Sequence, residues 1–168
     1  NGAGYSQHRD YVDSAARVEA ANDLGISAGR DFASVGGGLQ SGRDTTIVAG
    51  RDASLVAAEE RNAMDMGKRL QTSSATQHGS DVDAGRDVNV KAGRDIAAIA
   101  SQIDAKRDIN MSAGGDLILA SAADEEHSSR KSKKEKRQED HVSQVSTALS
   151  AGGDVLLGAG KDLAMIAS

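Results

Sequence analysis

The chain has 168 residues, a formal net charge of −5, 19 Gly, no Cys, no Pro, no Trp, and only Tyr5, Tyr11 and Phe32 as aromatics. The negative balance argues against general nucleic-acid binding. No apolar run approaches the roughly 20 residues that span a bilayer, and the lack of Cys excludes disulfides without naming a compartment.

A core without bulky aromatics has to be filled by Ala, Val, Ile, Leu and Met, which suits a narrow and regular interior. The N-terminal stretch NGAGYSQHRDYVD (1–13) starts in mid-pattern, and no signal peptide is visible. It reads as the returning half of an excursion, in an excised fragment of something longer.

From there a punctuation sets in. Asp recurs at 23, 31, 44, 52, 87, 95, 108, 116, 154 and 162, with gaps of 8 and 13 in the regular stretches, so two interleaved series each advance by 21. Gly stands two residues before most of these, Ala21 and Lys106 being exceptions. The pattern predicts turns in which Gly supplies a positive φ. In those turns Asp31, Asp44, Asp52, Asp87, Asp95, Asp108, Asp116, Asp154 and Asp162 would bond nearby backbone.

Apart from Thr45 and Ser34, apolar residues fall one and three places after each Asp, as in Val88 and Val90 or Ile109 and Met111. That is period two, the mark of a short strand with one buried face. A third strand precedes each first Asp, carrying Val18, Leu39, Val82, Ile103 or Leu149. The prediction is an all-β parallel β-helix with about 21 residues and three short strands per coil. Five coils at about 4.8 Å per strand would make a rod of roughly 24 Å. Stacked Asp ladders would repel unless paired. Arg30, Arg43, Arg51, Arg86, Arg94 and Arg107, each just before an Asp, or backbone donors of the turn, are the candidate partners.

The rhythm breaks twice, with both breaks in the same leg of the coil. The first excursion is predicted at 58–79. Met64-Asp65-Met66 sits at coil spacing but lacks the Gly, so it is not counted as a coil. The second is predicted at 121–146 and contains RKSKKEKR (130–137). It could be a projecting hairpin, a helix with pairs such as Glu126–Arg130, or a disordered loop. Arg130, Lys131, Lys133, Lys134, Lys136 and Arg137 are the candidate contacts for an anionic partner, weighed against a merely solvated tip.

Other motifs carry less. Gly-Arg-Asp is not Arg-Gly-Asp. Calcium-binding β-rolls need nine-residue units, not gaps of 8 and 13. His8, His78, His127 and His141 form no i,i+4 pair. No catalytic, cofactor or metal residues are assigned, and every regular Asp is accounted for by a turn.

The units AGRDVNVKAGRDIAAIASQIDAKRDINMSAGGDLILASA and SAGGDVLLGAGKDLAMIAS, with the interruption ADEEHSSRKSKKEKRQEDHVSQVSTAL, resemble the haemagglutinin repeats of filamentous haemagglutinin-type exoproteins. These include two-partner-secreted adhesins and contact-dependent growth inhibition toxins of Gram-negative bacteria. The resemblance implies a right-handed β-helical filament, secreted to the cell surface through an outer-membrane partner. It would present a binding or toxin module to protein, lipopolysaccharide or glycan on a target cell. It implies no enzyme, cofactor or transmembrane segment. An active part in toxin translocation is the alternative, and a polysaccharide-cleaving β-helix enzyme a more distant one.

Overall fold

The computed structural model describes residues 16–65, 70–131 and 136–166. The expectation for residues 1–13 lies outside these. Coil 1 comprises β1 (Arg17–Ala20), β2 (Leu24–Ala28) and β3 (Phe32–Val35). Coil 2 comprises β4 (Gly38–Ser41), β5 (Thr45–Ala49) and β6 (Ala53–Val56). A hairpin of β7 (Ala58–Asp65) and β8 (Leu70–His78) follows. Coil 3 comprises β9 (Asp81–Ala84), β10 (Val88–Ala92) and β11 (Ile96–Ile99). Coil 4 comprises β12 (Gln102–Ala105), β13 (Ile109–Ala113) and β14 (Leu117–Ala120). A second hairpin, β15 (Ala122–Lys131) and β16 (Lys136–Val145), leads into coil 5, with β17 (Ala148–Ala151), β18 (Val155–Ala159) and β19 (Leu163–Ile166).

Equivalent strands of successive coils pair in parallel and build three five-stranded sheets, the walls of a parallel β-helix. Neither hairpin shifts the register. One inward row is Val18, Leu39, Val82, Ile103 and Leu149. A second is Leu24, Thr45, Val88, Ile109 and Val155. A third is Phe32, Ala53, Ile96, Leu117 and Leu163.

Alternation along each strand turns these rows inward. In the middle coils Ile47, Val88, Ile96, Ile103, Ile109 and Leu117 are fully buried. In the outer coils the same rows are more open, with Val18, Val155 and Leu163 exposed. A coil cannot bury its own inward face; its neighbours on both sides do so. A further inward position that the apolar pattern does not reveal is filled by Ala49, Ala92 and Ala113. On the wall opened by β4, Ser41, Ala84 and Ala105 are buried in the same way, and the Ser41 hydroxyl meets that of Thr45 at 2.8 Å. Small residues there keep the interior narrow, and the Ser–Thr bond explains a threonine in the core.

The glycines of the Gly-x-Asp turns correct the expectation of positive φ. Among the described residues only Gly36 (φ 58°) and Ala100 (φ 48°) are left-handed. The repeated glycine is required by stacking instead. A Cβ on Gly85 would lie 2.0 Å from the carbonyl oxygen of Gly42, and one on Gly114 would lie 2.3 Å from that of Gly93. Where Lys106 replaces glycine, its N–H reaches the Ala84 carbonyl at 3.2 Å, longer than the 2.9–3.1 Å of the equivalent bonds of Gly42, Gly85 and Gly152.

Candidate functional site: the lateral sheet and the turn ladders

Both hairpins leave from the corner between the third strand of one coil and the first strand of the next. Where no hairpin leaves, two residues close that corner, Gly36-Gly37 or Ala100-Ser101, and the first of each is left-handed. The last corner residue is Ser80, Ser101 or Thr147 in the later coils, and its hydroxyl caps backbone carbonyls. Ser80 Oγ donates to the carbonyls of Val56 (2.7 Å) and Ser34 (3.1 Å). Ser101 Oγ donates to Leu55 (2.8 Å) and Thr147 Oγ1 to Ala98 (3.1 Å). Ser80 and Ser101 are buried, so these bonds satisfy groups that water does not reach. This hydroxyl column lets the chain depart and return without loosening the coil. Its sequence signal, a Ser or Thr just before the first strand of coils 3, 4 and 5, is too short to stand out.

The excursions fold into antiparallel hairpins. Of the three forms the sequence left open for the second, Glu126 and Arg130 are not helical neighbours. Glu126 faces His141 and Arg130 faces Arg137 across the hairpin. The two hairpins also join. β15 pairs antiparallel with β8, from Glu125↔Ala75 to Arg130↔Leu70, giving a four-stranded lateral sheet in the order β16-β15-β8-β7. The joining follows from spacing. The hairpins are two coils apart and each is two strands wide, so every coil from 2 to 5 contributes one strand at the common strand separation.

Polar pairs lace this sheet. Asp124 accepts the Gln77 N–H at 2.6 Å, and His78 Nε2 lies 3.1 Å from Glu60. Arg61 binds Glu59, and each holds the other in its charged form, lowering the Glu59 pKa and raising that of Arg61. His127 Nδ1 meets Asp140 at 2.9 Å, with Glu125 at 3.6 Å from Nε2. The hydrogen bond to Asp140 raises the imidazole pKa above its ordinary value and lowers that of Asp140. A shallow groove of about 420 Å³ runs here between Thr72, Ser73, Ser128 and Ser129, with His127 and Asp140 at its side.

Of the basic run, Arg130 and Lys131 lie at the outer end of β15 and Lys136 and Arg137 at the outer end of β16. Lys133 and Lys134 lie outside the described residues. Backbone register sets Arg130 opposite Arg137 and Lys131 opposite Lys136. Arg137 reaches Glu139 at 3.4 Å, both exposed.

The turn aspartates form two ladders. Each carboxylate accepts from the coil that follows it. Asp44, Asp87, Asp108 and Asp154 donate their amides to Asp23, Asp44, Asp87 and Asp108. In the other ladder Asp95, Asp116 and Asp162 donate to Asp52, Asp95 and Asp116. The arginines join them: Arg43 with Asp23, Arg51 with Asp31, Arg86 with Asp44, Arg94 with Asp52 and Arg107 with Asp87. Arg51 holds the Asp31 carboxyl below the usual carboxylate range. These contacts position turns, and the aspartates are spent on them.

A trough of about 630 Å³ lies beside the first hairpin against the outer face of β4, β9 and β12, lined by Gln40, His78, Asp81, Asp83, Gln102 and Asp104. Among the described residues no group of three or more His, Asp or Glu side chains is placed to hold a metal. No helix of the described residues is long and apolar enough to cross a membrane.

Coil stacking, turn ladders and a lateral hairpin sheet define a β-solenoid with periodic excursions. Residues 67–137 match the hemagglutinin repeat family, which supports a filamentous haemagglutinin-type repeat region there. The matched span runs from one hairpin, through coils 3 and 4, into the next, so it corresponds to one structural period. That family is a structural and adhesin repeat of bacterial surface proteins. No curated protein and no solved structure matches the chain.

Proposed function

We propose that the chain is a stalk segment of a secreted Gram-negative surface filament that holds a binding or toxin module away from the producing cell, with the basic hairpin end as an accessory contact for anionic surface polymers. The observation that carries the stalk is the unbroken register of three sheets across both hairpins, within a chain whose residues 67–137 match the hemagglutinin repeat family. A rod built by stacking transmits position along its axis, and lengthening it requires only more coils.

The accessory contact is supported by the register of the second hairpin. Arg130 faces Arg137 and Lys131 faces Lys136. Like charges placed opposite each other disfavour pairing, and an anionic polymer would offset that repulsion.

The test displays the chain on beads, alone or carrying a binding module of known antigen. The stalk reading expects antigen capture only with the module, and longer reach when the rod is doubled. Heparin columns and outer-membrane vesicles then compare the chain with a variant carrying Ser at 130, 131, 133, 134, 136 and 137. Retention of the unaltered chain is expected to fall steeply with salt, because such contacts are screened over about 8 Å at physiological ionic strength. Equal retention of both would remove the accessory contact. Specific capture by the bare rod of the Ser variant would overturn the stalk.

A further inference from the structure

β16 ends the lateral sheet, and among the described residues no strand lies on its other edge. An open edge is a template for a further strand, and charged side chains normally blunt it. On β16 the order of the charges selects the strand that can pair. Its outer half reads Lys136-Arg137-Gln138-Glu139-Asp140, two bases, a neutral centre and two acids. The same stretch reversed sets acid against base throughout. A second β16 running antiparallel would meet the first with Gln138 opposite Gln138, Arg137 opposite Glu139 and Lys136 opposite Asp140.

Other registers lack this match. When one edge pairs with itself antiparallel, the two-fold axis stands perpendicular to the sheet and passes through one residue position. An axis at Arg137, Glu139 or Asp140 sets that residue against its own copy, and like charges directly opposite destabilise. An axis at His141 or Val142 leaves Glu139 and Asp140 facing uncharged residues. Only Gln138 on the axis pairs every charge of the stretch.

Within one chain Arg137 already reaches Glu139 at 3.4 Å, with both side chains 71% exposed. That contact spans two residues along a strand, about 6.6 Å of rise, whereas directly opposed antiparallel residues lie about 4.5–5.5 Å apart. A second copy therefore offers Arg137 a nearer carboxylate. It also brings negative charge to a position that the hairpin register sets opposite Arg130.

We infer that the open edge of β16 is a self-association surface whose partner is β16 of a second copy of this chain, paired antiparallel about a two-fold axis at Gln138. The two lateral sheets then merge into one of eight strands, and the rods run antiparallel. This contact does not rest on the stalk reading, because it needs no presented module.

The chain contains no cysteine, so an introduced thiol reports without background. Gln138→Cys sets two thiols directly opposite each other across the axis, within the range that a disulfide bridges. Val142→Cys lies on the same edge, but its two copies would stand eight residues apart, about 26 Å. Under mild oxidation of the full chain, Gln138→Cys is expected to form disulfide-linked dimers at least about tenfold faster than Val142→Cys. Equilibrium sedimentation gives a reading without thiols. Arg137→Glu and Glu139→Arg should each weaken dimerisation at least about tenfold, and the double variant should restore it. A chain that stays monomeric across the concentration series, equal cross-linking rates, or a double variant no tighter than the single ones would each overturn the proposal. Dimers untouched by either single reversal would place the contact on another surface and overturn it as well.

Discussion

The backbone amide of Asp116 lies 2.9 Å from the carboxylate of Asp95, with Gly115 directly above that carboxylate. One coil pair earlier, the amide of Asp95 is 3.4 Å from Asp52, where Arg94 also binds the carboxylate. The alternation recurs at Asp108, which the Asp154 amide approaches to 2.9 Å beneath Gly153. A turn carboxylate is thus held by an arginine and a longer backbone bond, or by a short backbone bond where glycine replaces the arginine.

Adjacent glycines should therefore respond differently. A Cβ on Gly114 would meet a backbone carbonyl at 2.3 Å, whereas one on Gly115 would meet the movable Asp95 carboxylate at 2.3 Å. Gly114→Ala is expected to destabilise by about 1–3 kcal/mol as an overpacked contact. Gly115→Ala should cost less, and Gly115→Arg should recover stability by restoring the ion pair seen at Arg94. Thermal melting of the three variants decides it: equal losses for Gly114→Ala and Gly115→Ala would refute the stacking explanation.

The rod was legible in the sequence because a solenoid repeats its physics. One Asp, one turn and one inward pair recur in every coil, so Val88 and Val90 predict Ile109 and Met111. The role of the glycines was not legible. Positive φ and close stacking both select Gly, and only the coil beneath distinguishes them. The joining of the hairpins was also hidden. Residues 70–75 and 125–130 share no more than a Ser-Ser pair; they meet because two coils and two strands span the same distance. The hydroxyl column at Ser80, Ser101 and Thr147 rests on one residue per coil, too little for a period to reveal.

Val90 is buried between Ile47 and Met111 in the inward row, while Asn89 faces outward and receives a hydrogen bond from Asn110 at 3.3 Å. Val90→Asp places an uncompensated charge in the interior and should cost about 3 kcal/mol or more. Asn89→Asp keeps the acceptor for Asn110 and should change stability by less than about 0.5 kcal/mol. Denaturant melts of the two variants should differ accordingly. Matching losses would show that the alternation does not define the core.

Deleting residues 122–146 would join Ser121 to Thr147, recreating the two-residue corner formed by Ala100 and Ser101. Thr147 already donates to the carbonyl of Ala98 at 3.1 Å, so the hydroxyl column would persist. The rod should keep its β circular dichroism and cooperative melt. The first hairpin loses its β15 neighbour, so amides of β8 should exchange faster. Collapse of the whole rod on deletion would mean that the lateral sheet, not coil stacking, carries the fold.

The His127–Asp140 pair should make the second hairpin sensitive to pH. On the groups facing that imidazole, Asp140 stands opposite on β16, Glu125 lies along β15 and the neutral Ser73 is opposite on β8. His127 is raised above its reference of 6.5, chiefly by the Asp140 hydrogen bond, and Asp140 is lowered below 3.8, chiefly by His127. A raised histidine contributes fully below 6.5, and its contribution is lost as pH climbs through the folded value. The lowered carboxylate contributes fully above 3.8 and loses its effect as pH falls through its own folded value. The pair is therefore strongest between about pH 4 and 6.5 and weakens on either side. Exchange protection at Ser128 and Glu139, measured across this range, should be greatest in the window. Asp140→Asn should move the His127 titration, followed by NMR, downward and flatten the profile. An unchanged His127 midpoint in that variant would show that Asp140 does not hold the imidazolium.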